Sequence, residues 1–164
     1  MYYFAYGSNM SIKRLRSRAR SASKVGIGFL EMHLLKFHKV GRIDGSAKCD
    51  ACETGVPGHR VHGVVFDIAG RDKPVLAREE GVGCGYAEKV VSIMLNDGTT
   101  IEAFTYYATI IDPALRPFDW YAEHVIIGAR ESELPEDYIQ YIESIECDKD
   151  PDDERREREL SIYR

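Results

Sequence analysis

The 164-residue sequence has no apolar run long enough to span a membrane, no internal repeat and no low-complexity segment. A strand-like aromatic run starts at Tyr2, which leaves no room for a signal or transit peptide before it. We therefore expect a cytoplasmic protein with no membrane partner. The length suits one domain with a sizeable core. We place that domain at residues 1–147 and a charged C-terminal tail at residues 148–164.

Cysteine and positive charge are also in short supply. The four cysteines, Cys49, Cys52, Cys84 and Cys147, form no dense disulfide pattern, which is typical of a reducing compartment. Lys and Arg number 22 against 27 Asp and Glu, so the net charge is −5. This balance argues against general nucleic-acid binding.

The cysteine pair only weakly indicates a metal site. Cys49 and Cys52, with His59 and His62 downstream, supply a Cys₂His₂ count, but the two histidines are closer together than in zinc fingers. A redox dithiol is equally weak, because the pair does not open a helix after a strand. The sequence therefore predicts no metal and no cofactor.

The order of elements predicts an α+β fold. Strands are predicted at Tyr2–Tyr6, Lys24–Gly28, Leu30–Val40, Ala47–Cys52, Val61–Ile68, Tyr86–Leu95 and Thr100–Ala108. The last two are joined by Asn96-Asp97-Gly98, a strong hairpin signal. Helices are predicted from near Ser11 and over Asp72–Glu80, Phe118–Gly128 and Glu136–Cys147, with Asp72 as an N-cap and Gly128 as a C-terminal stop.

A polar turn follows the first strand. The run Tyr6-Gly7-Ser8-Asn9 leaves the strand and enters a helix, so its backbone N–H groups are free to form an anion or oxyanion cradle. The alternative is an ordinary strand end with Asn9 as a local helix cap. The basic residues from Lys13 to Arg20 either steer an anionic substrate toward this turn or form a solvated helix face, and the solvated face is favoured.

Three segments resemble one family. They are Tyr6-Gly7-Ser8-Asn9, then Glu80-Gly81-Val82-Gly83-Cys84-Gly85-Tyr86, and then Gly128-Ala129-Arg130-Glu131 followed by Leu134-Pro135 and Tyr138. In this order and spacing they resemble the gamma-glutamylcyclotransferase-like family, which includes the plant AIG2-like proteins. The resemblance spans about residues 2–145. It implies a small mixed β-barrel with surrounding helices.

The resemblance also implies a reaction. The α-amine of a γ-glutamyl compound attacks its own γ-carbonyl, and 5-oxoproline and a free amino acid or amine are released. The nucleophile belongs to the small-molecule substrate, so neither a nucleophilic side chain nor a metal is required. Glu80 is the implied general acid/base, with Glu79 as the rival that the family register does not select. Tyr6, Gly7, Ser8, Asn9 and Met10 would hold the glutamyl head.

Correspondence with the family places three tyrosines at the pocket, Tyr86, Tyr106 and Tyr121, although from the residue type alone a half-buried packing role is favoured for each. Family members often carry a second aromatic residue beside Tyr86, where this chain has Ala87.

The leaving group and the oligomeric state stay open, and a homodimer is one outcome. A second hypothesis is a catalytically silent member of the same fold that binds a small molecule or a protein.

Overall fold

Five strands form a closed barrel in the computed structural model, which describes all 164 residues. The strands of the chain are β1 (Tyr2–Ala5), β2 (Ser23–Glu31), β3 (His33–Val40), β4 (Ala47–Glu53), β5 (Arg60–Asp67), β6 (Tyr86–Leu95) and β7 (Thr100–Ala108). The barrel order is β1-β5-β2-β6-β7, and β7 closes it by pairing in parallel with β1. The other neighbours are antiparallel, so the predicted small mixed barrel is confirmed.

Five α-helices surround the barrel. They are α1 (Ile12–Arg18), α2 (Lys73–Glu80), α3 (Asp119–Glu131), α4 (Glu136–Glu143) and α5 (Asp153–Leu160), with single 3₁₀ turns at Ser8–Met10 and Ser161–Tyr163. None of them combines the length and the apolar character needed to cross a membrane. The predicted α+β class is confirmed.

The remaining two strands, β3 and β4, pair only with each other. This two-stranded sheet is tied to the barrel and to the segment after β7 by hydrogen bonds. The Ala108 amide donates to Asp50 Oδ1 at 2.8 Å, and the Val40 amide donates to the Ile110 carbonyl at 3.0 Å. Lys39 and Cys49 are thereby carried to one end of the barrel, where β1 also ends.

Four predictions about the ends of elements differ from the structure, and the fourth concerns Gly128. The second strand does not break at Phe29, because Phe29 pairs with His62 of β5, and the chain reverses at Met32 in a left-handed conformation (φ 59°). The Asp72 carboxylate makes no cap. It accepts instead from the Ser21 amide at 2.8 Å and from the Ser21 hydroxyl at 2.6 Å. The helix predicted to reach Cys147 ends at Glu143.

Gly128 is not the predicted helix stop, since α3 continues to Glu131. A Cβ at this position would lie 2.5 Å from the Ser11 amide nitrogen and 2.7 Å from Met10 Cβ. The glycine is therefore explained by packing. The chain that leaves the Ser8–Met10 turn crosses α3 with its backbone in contact, which only a residue without a side chain permits.

The C-terminal segment closes over α1 and α3. Arg14 of α1 donates to Glu159 of α5 at 2.9 Å and lies 3.0 Å from His124 Nε2 of α3. The other ring nitrogen of His124 lies 2.8 Å from the Tyr163 hydroxyl. Arg14 Nη1 can only donate, so Nε2 of this fully buried histidine accepts from it, and Glu159 Oε2 lies farther from the same nitrogen, at 3.4 Å. Burial lowers the pKa of His124 to about 4.

A second contact ties down the start of the same segment. Asp150 is completely buried, accepts from Trp120 Nε1 at 2.7 Å and is paired with Arg155. Asp152 then caps α5 by accepting from the Arg155 amide at 2.9 Å. Although α5 buries no residue of its own, these ion pairs hold it along α3 and α1.

Substitution of Gly128 by alanine is expected to destabilise the fold and displace the Ser8–Met10 turn, because the added methyl group would overlap Met10 and Ser11, which have to shift to admit it. Overpacking of this kind costs about 1–3 kcal/mol. Calorimetry should record a melting temperature lower by several degrees. Gly70→Ala is the matched control, since the nearest atom to a Cβ there is the Met1 terminal methyl group at 3.9 Å. Equal melting temperatures for the two variants would contradict the packing explanation.

Acid is expected to destabilise the protein between about pH 6.5 and pH 4. His124 has a pKa of about 4 in the folded state, whereas an unfolded histidine titrates near about 6.5. The unfolded chain therefore binds the extra proton across this window, and the free energy of unfolding falls as the pH falls. The contribution is on the order of 3 kcal/mol.

Urea unfolding at a series of pH values measures this dependence. His124→Gln should flatten the profile within the window, because the amide keeps hydrogen-bonding groups but does not titrate. His59→Gln, at a half-buried histidine whose ring contacts Thr54, should leave the profile unchanged. A wild-type slope that survives in His124→Gln would assign it to other groups.

Candidate active site

The turn after β1 exposes unpaired donors. It is closed by one backbone hydrogen bond, from the Met10 amide to the Gly7 carbonyl at 3.0 Å. The amides of Gly7, Ser8 and Asn9 and the Ser8 hydroxyl have no acceptor in the protein. A run of free N–H groups at the start of a helical turn is an anion-binding concavity. The turn is therefore able to receive a carboxylate or a developing oxyanion.

Gly7 brings this turn close to β4. A Cβ at Gly7 would lie 3.1 Å from Cys49 Cβ and 3.6 Å from the Tyr121 hydroxyl. Its φ of −119° is open to other residues, so the missing side chain matters here for space and not for backbone conformation. The turn is packed against a rigid strand, which holds its free amides in place.

Glu80 faces this turn. It is the last residue of α2, and Gly81 after it takes the left-handed conformation (φ 75°) that ends the helix. Glu80 Oε1 accepts from Asn9 Nδ2 at 2.7 Å and from Arg18 Nη1 at 2.7 Å. Glu80 Oε2 accepts from no protein group. The carboxylate is thus fixed through one oxygen, and the other is left to a ligand.

Arg18 completes this contact. Its Nη1 also donates to Asn9 Oδ1 at 2.8 Å, so Asn9, Arg18 and Glu80 are joined pairwise. Asn9 therefore links the turn to α2 and does not serve as a helix cap. The prediction of a solvated basic face is wrong for Arg14 and Arg18, whose side chains are only 11% and 18% exposed.

The tyrosines at the site differ in what their hydroxyls do. Tyr86 donates to the Cys49 carbonyl at 2.5 Å, and Tyr121 accepts from the Cys49 amide at 3.0 Å, so this pair clamps β4. Tyr6 donates to the carbonyl of Tyr106 at 2.5 Å and joins β1 to β7. The Tyr106 hydroxyl is buried and has no partner.

Two connected spaces meet at Glu80. The inner recess has a volume of about 20 Å³ and is bounded by the Ser8–Asn9 turn, Cys49 and the tyrosines. The outer cleft has about 300 Å³ and extends between α1, the end of α2, the loop 41–44 and α5. Four residues line both: Ser8, Glu80, Tyr86 and Tyr121. A ligand held at Glu80 would reach into both.

Eight of the nine residues named from the sequence line the inner recess, namely Tyr6, Gly7, Ser8, Asn9, Glu80, Tyr86, Tyr106 and Tyr121. Met10 lines neither space and packs against Gly128 of α3. Glu79 lies at the rim of the outer cleft, with its side chain 48% exposed and near Arg78. Neighbouring residues of a helix point about 100° apart, and of these two only Glu80 contacts the turn.

Tyr3, Arg18, Lys39 and Cys49 also line the two spaces, although the sequence marked none of them as a site residue. The Tyr3 hydroxyl accepts from Asn9 Nδ2 at 3.2 Å. The basic stretch that contains Arg18 could have indicated this residue from the sequence. No sequence pattern indicated Lys39 or Cys49, because their approach to the site depends on how the β3–β4 sheet docks.

The cysteine and histidine residues of the zinc alternative lie apart. Cys49 is buried at the recess, His59 contacts Thr54, and the His62 ring packs on Tyr138 at 4.8 Å between centroids. Donor atoms of His38, Asp50 and Cys52 do lie within 4.8 Å of one another. However, the two Asp50 oxygens are already engaged, one with His38 at 2.8 Å and one with the Ala108 amide at 2.8 Å.

Comparison with known proteins gives a consistent picture. The sequence profile of the AIG2-like family matches residues 60–142, which include Glu80, Tyr86, Tyr106 and Tyr121. Gamma-glutamylcyclotransferases of Bos taurus and Homo sapiens are each 30% identical over 151 residues, which cover 88% of this chain and 78% of theirs.

Solved structures agree. A gamma-glutamyl cyclotransferase superposes with a TM-score of 0.83 at 26% identity, covering 90% of this chain and 89% of its own. An uncharacterized Homo sapiens protein superposes with a TM-score of 0.82 at 27% identity, covering 90% and 88%. On the sequence match and the shared fold, this chain belongs to the AIG2-like family, with the gamma-glutamylcyclotransferases among its relatives.

Proposed function

We propose that this protein is a cyclotransferase that converts a γ-glutamyl compound into 5-oxoproline and a free amino acid or amine. The observation that carries the proposal is the position of Glu80. Its carboxylate is fixed by Asn9 and Arg18 through Oε1, Oε2 has no protein partner, and Glu80 lines the recess together with Gly7, Ser8 and Asn9. The names of the relatives support the same activity.

The reaction requires a compact conformation of the substrate. The α-amine must come into contact with the γ-carbonyl carbon of the same molecule, so most of the rate enhancement would come from binding the substrate in that conformation. The inner recess, at about 20 Å³, admits a group of about the size of a water molecule, so it takes one polar end of the glutamyl head, and the rest of the head lies beside Glu80 in the outer cleft. The leaving group then extends into the outer cleft. Glu80 lies at the junction, where the bond that breaks would be.

Glu80 acts on protons in both halves of the reaction. Oε2 takes a proton from the substrate ammonium, and the freed amine attacks the γ-carbonyl carbon. The C–N bond of the lactam forms, negative charge collects on the carbonyl oxygen, and the new ring nitrogen still carries two protons. The protonated Glu80 returns its proton to the leaving nitrogen as the bond from that nitrogen to carbon breaks, and the ring nitrogen gives its second proton to solvent or to the departing amine, which leaves the neutral lactam. The carboxylate is regenerated, so no co-reactant is consumed.

Two sets of hydrogen-bond donors are available for the α-carboxylate of the substrate and for the oxyanion that develops during the reaction. The amides of Gly7, Ser8 and Asn9 and the Ser8 hydroxyl form one set, at the turn. The Tyr106 hydroxyl is the other, across the recess. We assign the turn to the α-carboxylate of the glutamyl head and Tyr106 to the developing oxyanion. A preorganised donor in a site that excludes water is worth more than the same donor in water.

Replacement of Glu80 by glutamine is expected to lower 5-oxoproline release by about 10²–10⁴-fold, because the amide cannot carry the proton. The measurement is lactam formation from a panel of γ-glutamyl amino acids and γ-glutamyl amines. Glu79→Gln is the matched control, since this neighbour lies at the rim and does not contact the turn. It should retain activity within about two-fold.

Two results would overturn the proposal. Full activity in Glu80→Gln would remove the proton-transfer role. Absence of lactam from every compound with the wild-type protein would favour a binding member of the fold instead. Melting curves of both variants keep a loss of folding separate from a loss of chemistry.

Replacement of Tyr106 by phenylalanine is expected to lower kcat by at least about ten-fold with little change in KM, since the hydroxyl is assigned to the charge that develops during the reaction. The variant should be as stable as the wild type or more so, because the deleted hydroxyl is buried and unpaired. Tyr107→Phe, on the opposite face of β7, is the control. Unchanged kcat in Tyr106→Phe would refute the assignment.

A further inference from the structure

The charged C-terminal tail is connected to the site through α1. Arg14 and Arg18 are four residues apart in this helix, so their side chains lie on the same face, one turn apart. Arg18 donates to Glu80 at 2.7 Å, and Arg14 donates to Glu159 of α5 at 2.9 Å. One short helix therefore joins a carboxylate of the tail to the carboxylate that would move the protons.

α1 needs contacts with the rest of the protein to stay in place. It has seven residues, and an isolated helix this short is unstable in water. Ser11 makes no side-chain cap, and the first turn holds no acidic residue. Arg14 and Arg18 carry like charges one turn apart, which destabilises the helix further. The two buried residues of α1 are Arg14 and Leu15, so these side chains anchor it.

Glu159 neutralises the Arg14 anchor. The Arg14 side chain is only 11% exposed, and Glu159 is its one carboxylate partner. His124 Nε2, at 3.0 Å, accepts from the same nitrogen but brings no negative charge. The Arg14 Nε atom is buried without a partner. A buried guanidinium that lost its carboxylate would be drawn toward solvent, and α1 would move with it.

The tail stays docked without this ion pair. Asp150 accepts from Trp120 Nε1 at 2.7 Å and is paired with Arg155. Arg156 donates to Asp119 at 2.9 Å. Because Trp120 and Asp119 both belong to α3, these contacts attach α5 to that helix and not to α1. Removal of the carboxylate that binds α1 is therefore expected to loosen α1 and to leave α5 in place.

We infer that Glu159 is a positioning residue for the reaction, which fixes α1 through Arg14 and thereby holds Arg18 on Glu80. The inference rests on the proposed cyclotransferase function and gives the C-terminal tail a role in it. This role requires no contact between Glu159 and the reacting atoms. With α1 fixed, Arg18 stays bound to Glu80 Oε1, and Oε2 stays free for the proton transfers.

Glu159→Met removes the carboxylate and keeps the length of the side chain. For the γ-glutamyl compound that the wild type converts fastest, it should lower kcat by about 10-fold and leave KM within about two-fold, because a displaced Arg18 misplaces Glu80. Glu159→Gln should recover part of the loss, since its amide oxygen still accepts from Arg14. Glu157→Met is the matched control, at an exposed residue of the same helix outside the cleft, and should keep kcat within about two-fold.

A double-mutant cycle tests whether Glu159 acts through Arg18. In an Arg18→Met background, Glu159→Met should cause no further loss of kcat, because the contact that it positions is already absent. A further loss of the same size would overturn the inference, since it would show that Glu159 acts by another route. Unchanged kcat in Glu159→Met alone would also overturn it. In both cases the cyclotransferase function would stand.

Hydrogen exchange is a second measurement, which needs no activity. Glu159→Met should speed exchange of the Leu15 and Ala19 amides, which donate to the Ser11 and Leu15 carbonyls, and leave the amides of α4 at the wild-type rate. Unchanged exchange of the two α1 amides would overturn the inference by itself. Absence of lactam from every compound with the wild type would instead remove the proposed function, and the inference with it.

Discussion

The site depends on one contact, the hydrogen bonds that join Asn9, Arg18 and Glu80. Asn9 follows the first strand, Arg18 ends α1, and Glu80 ends α2, so three separate elements meet at one carboxylate oxygen. Hydrogen bonds to a charged group in a partly buried place are stronger than those on the surface. The contact also holds Glu80 in place, because both donors take Oε1 and leave Oε2 without a protein partner.

Packing holds each partner of this contact in place. The turn that carries Asn9 is pressed against Cys49 through Gly7, and the chain beyond it crosses α3 at Gly128. The Tyr86 hydroxyl donates to the Cys49 carbonyl, and the Tyr121 hydroxyl accepts from the Cys49 amide. These contacts join β1, β4 and α3 without any covalent link. A site assembled in this way keeps its geometry when the substrate is absent, which is the condition for electrostatic preorganisation.

Several hydrogen-bond donors at the site have no protein partner. The Tyr106 hydroxyl, the Ser8 hydroxyl and the free amides of the turn border the recess. The buried hydroxyls of Ser11 and Tyr138 are also unpaired and lie outside both spaces, so unpaired groups are not confined to the site. At the recess, an anionic ligand would contribute the missing acceptors.

Much of this protein was predictable from local sequence. Alternating and aromatic strands, the Asn96-Asp97-Gly98 hairpin and the glycines after Glu80 act over a few residues, and the predicted α+β barrel and the β6 and β7 bounds agree with the structure. The resemblance named eight residues that line the recess. Local rules failed where distant chain intervened. Gly128 looked like a helix stop but accommodates Met10 and Ser11, and Asp72 binds Ser21 instead of capping its helix.

The remaining features arise only on folding. The partners of Glu80 are 62 and 71 residues away in sequence, and no periodicity encodes such a meeting. Arg14 and Arg18 have the composition of a solvated face until α5 and α2 cover them. Lys39 reaches the outer cleft and lies over the Tyr86 ring because the β3–β4 sheet docks beside the barrel. The sequence by itself determined the elements and the residue types at the site. Tertiary structure decided which polar atoms are paired and which are left for a ligand, because pairing depends on contacts between elements far apart in the chain.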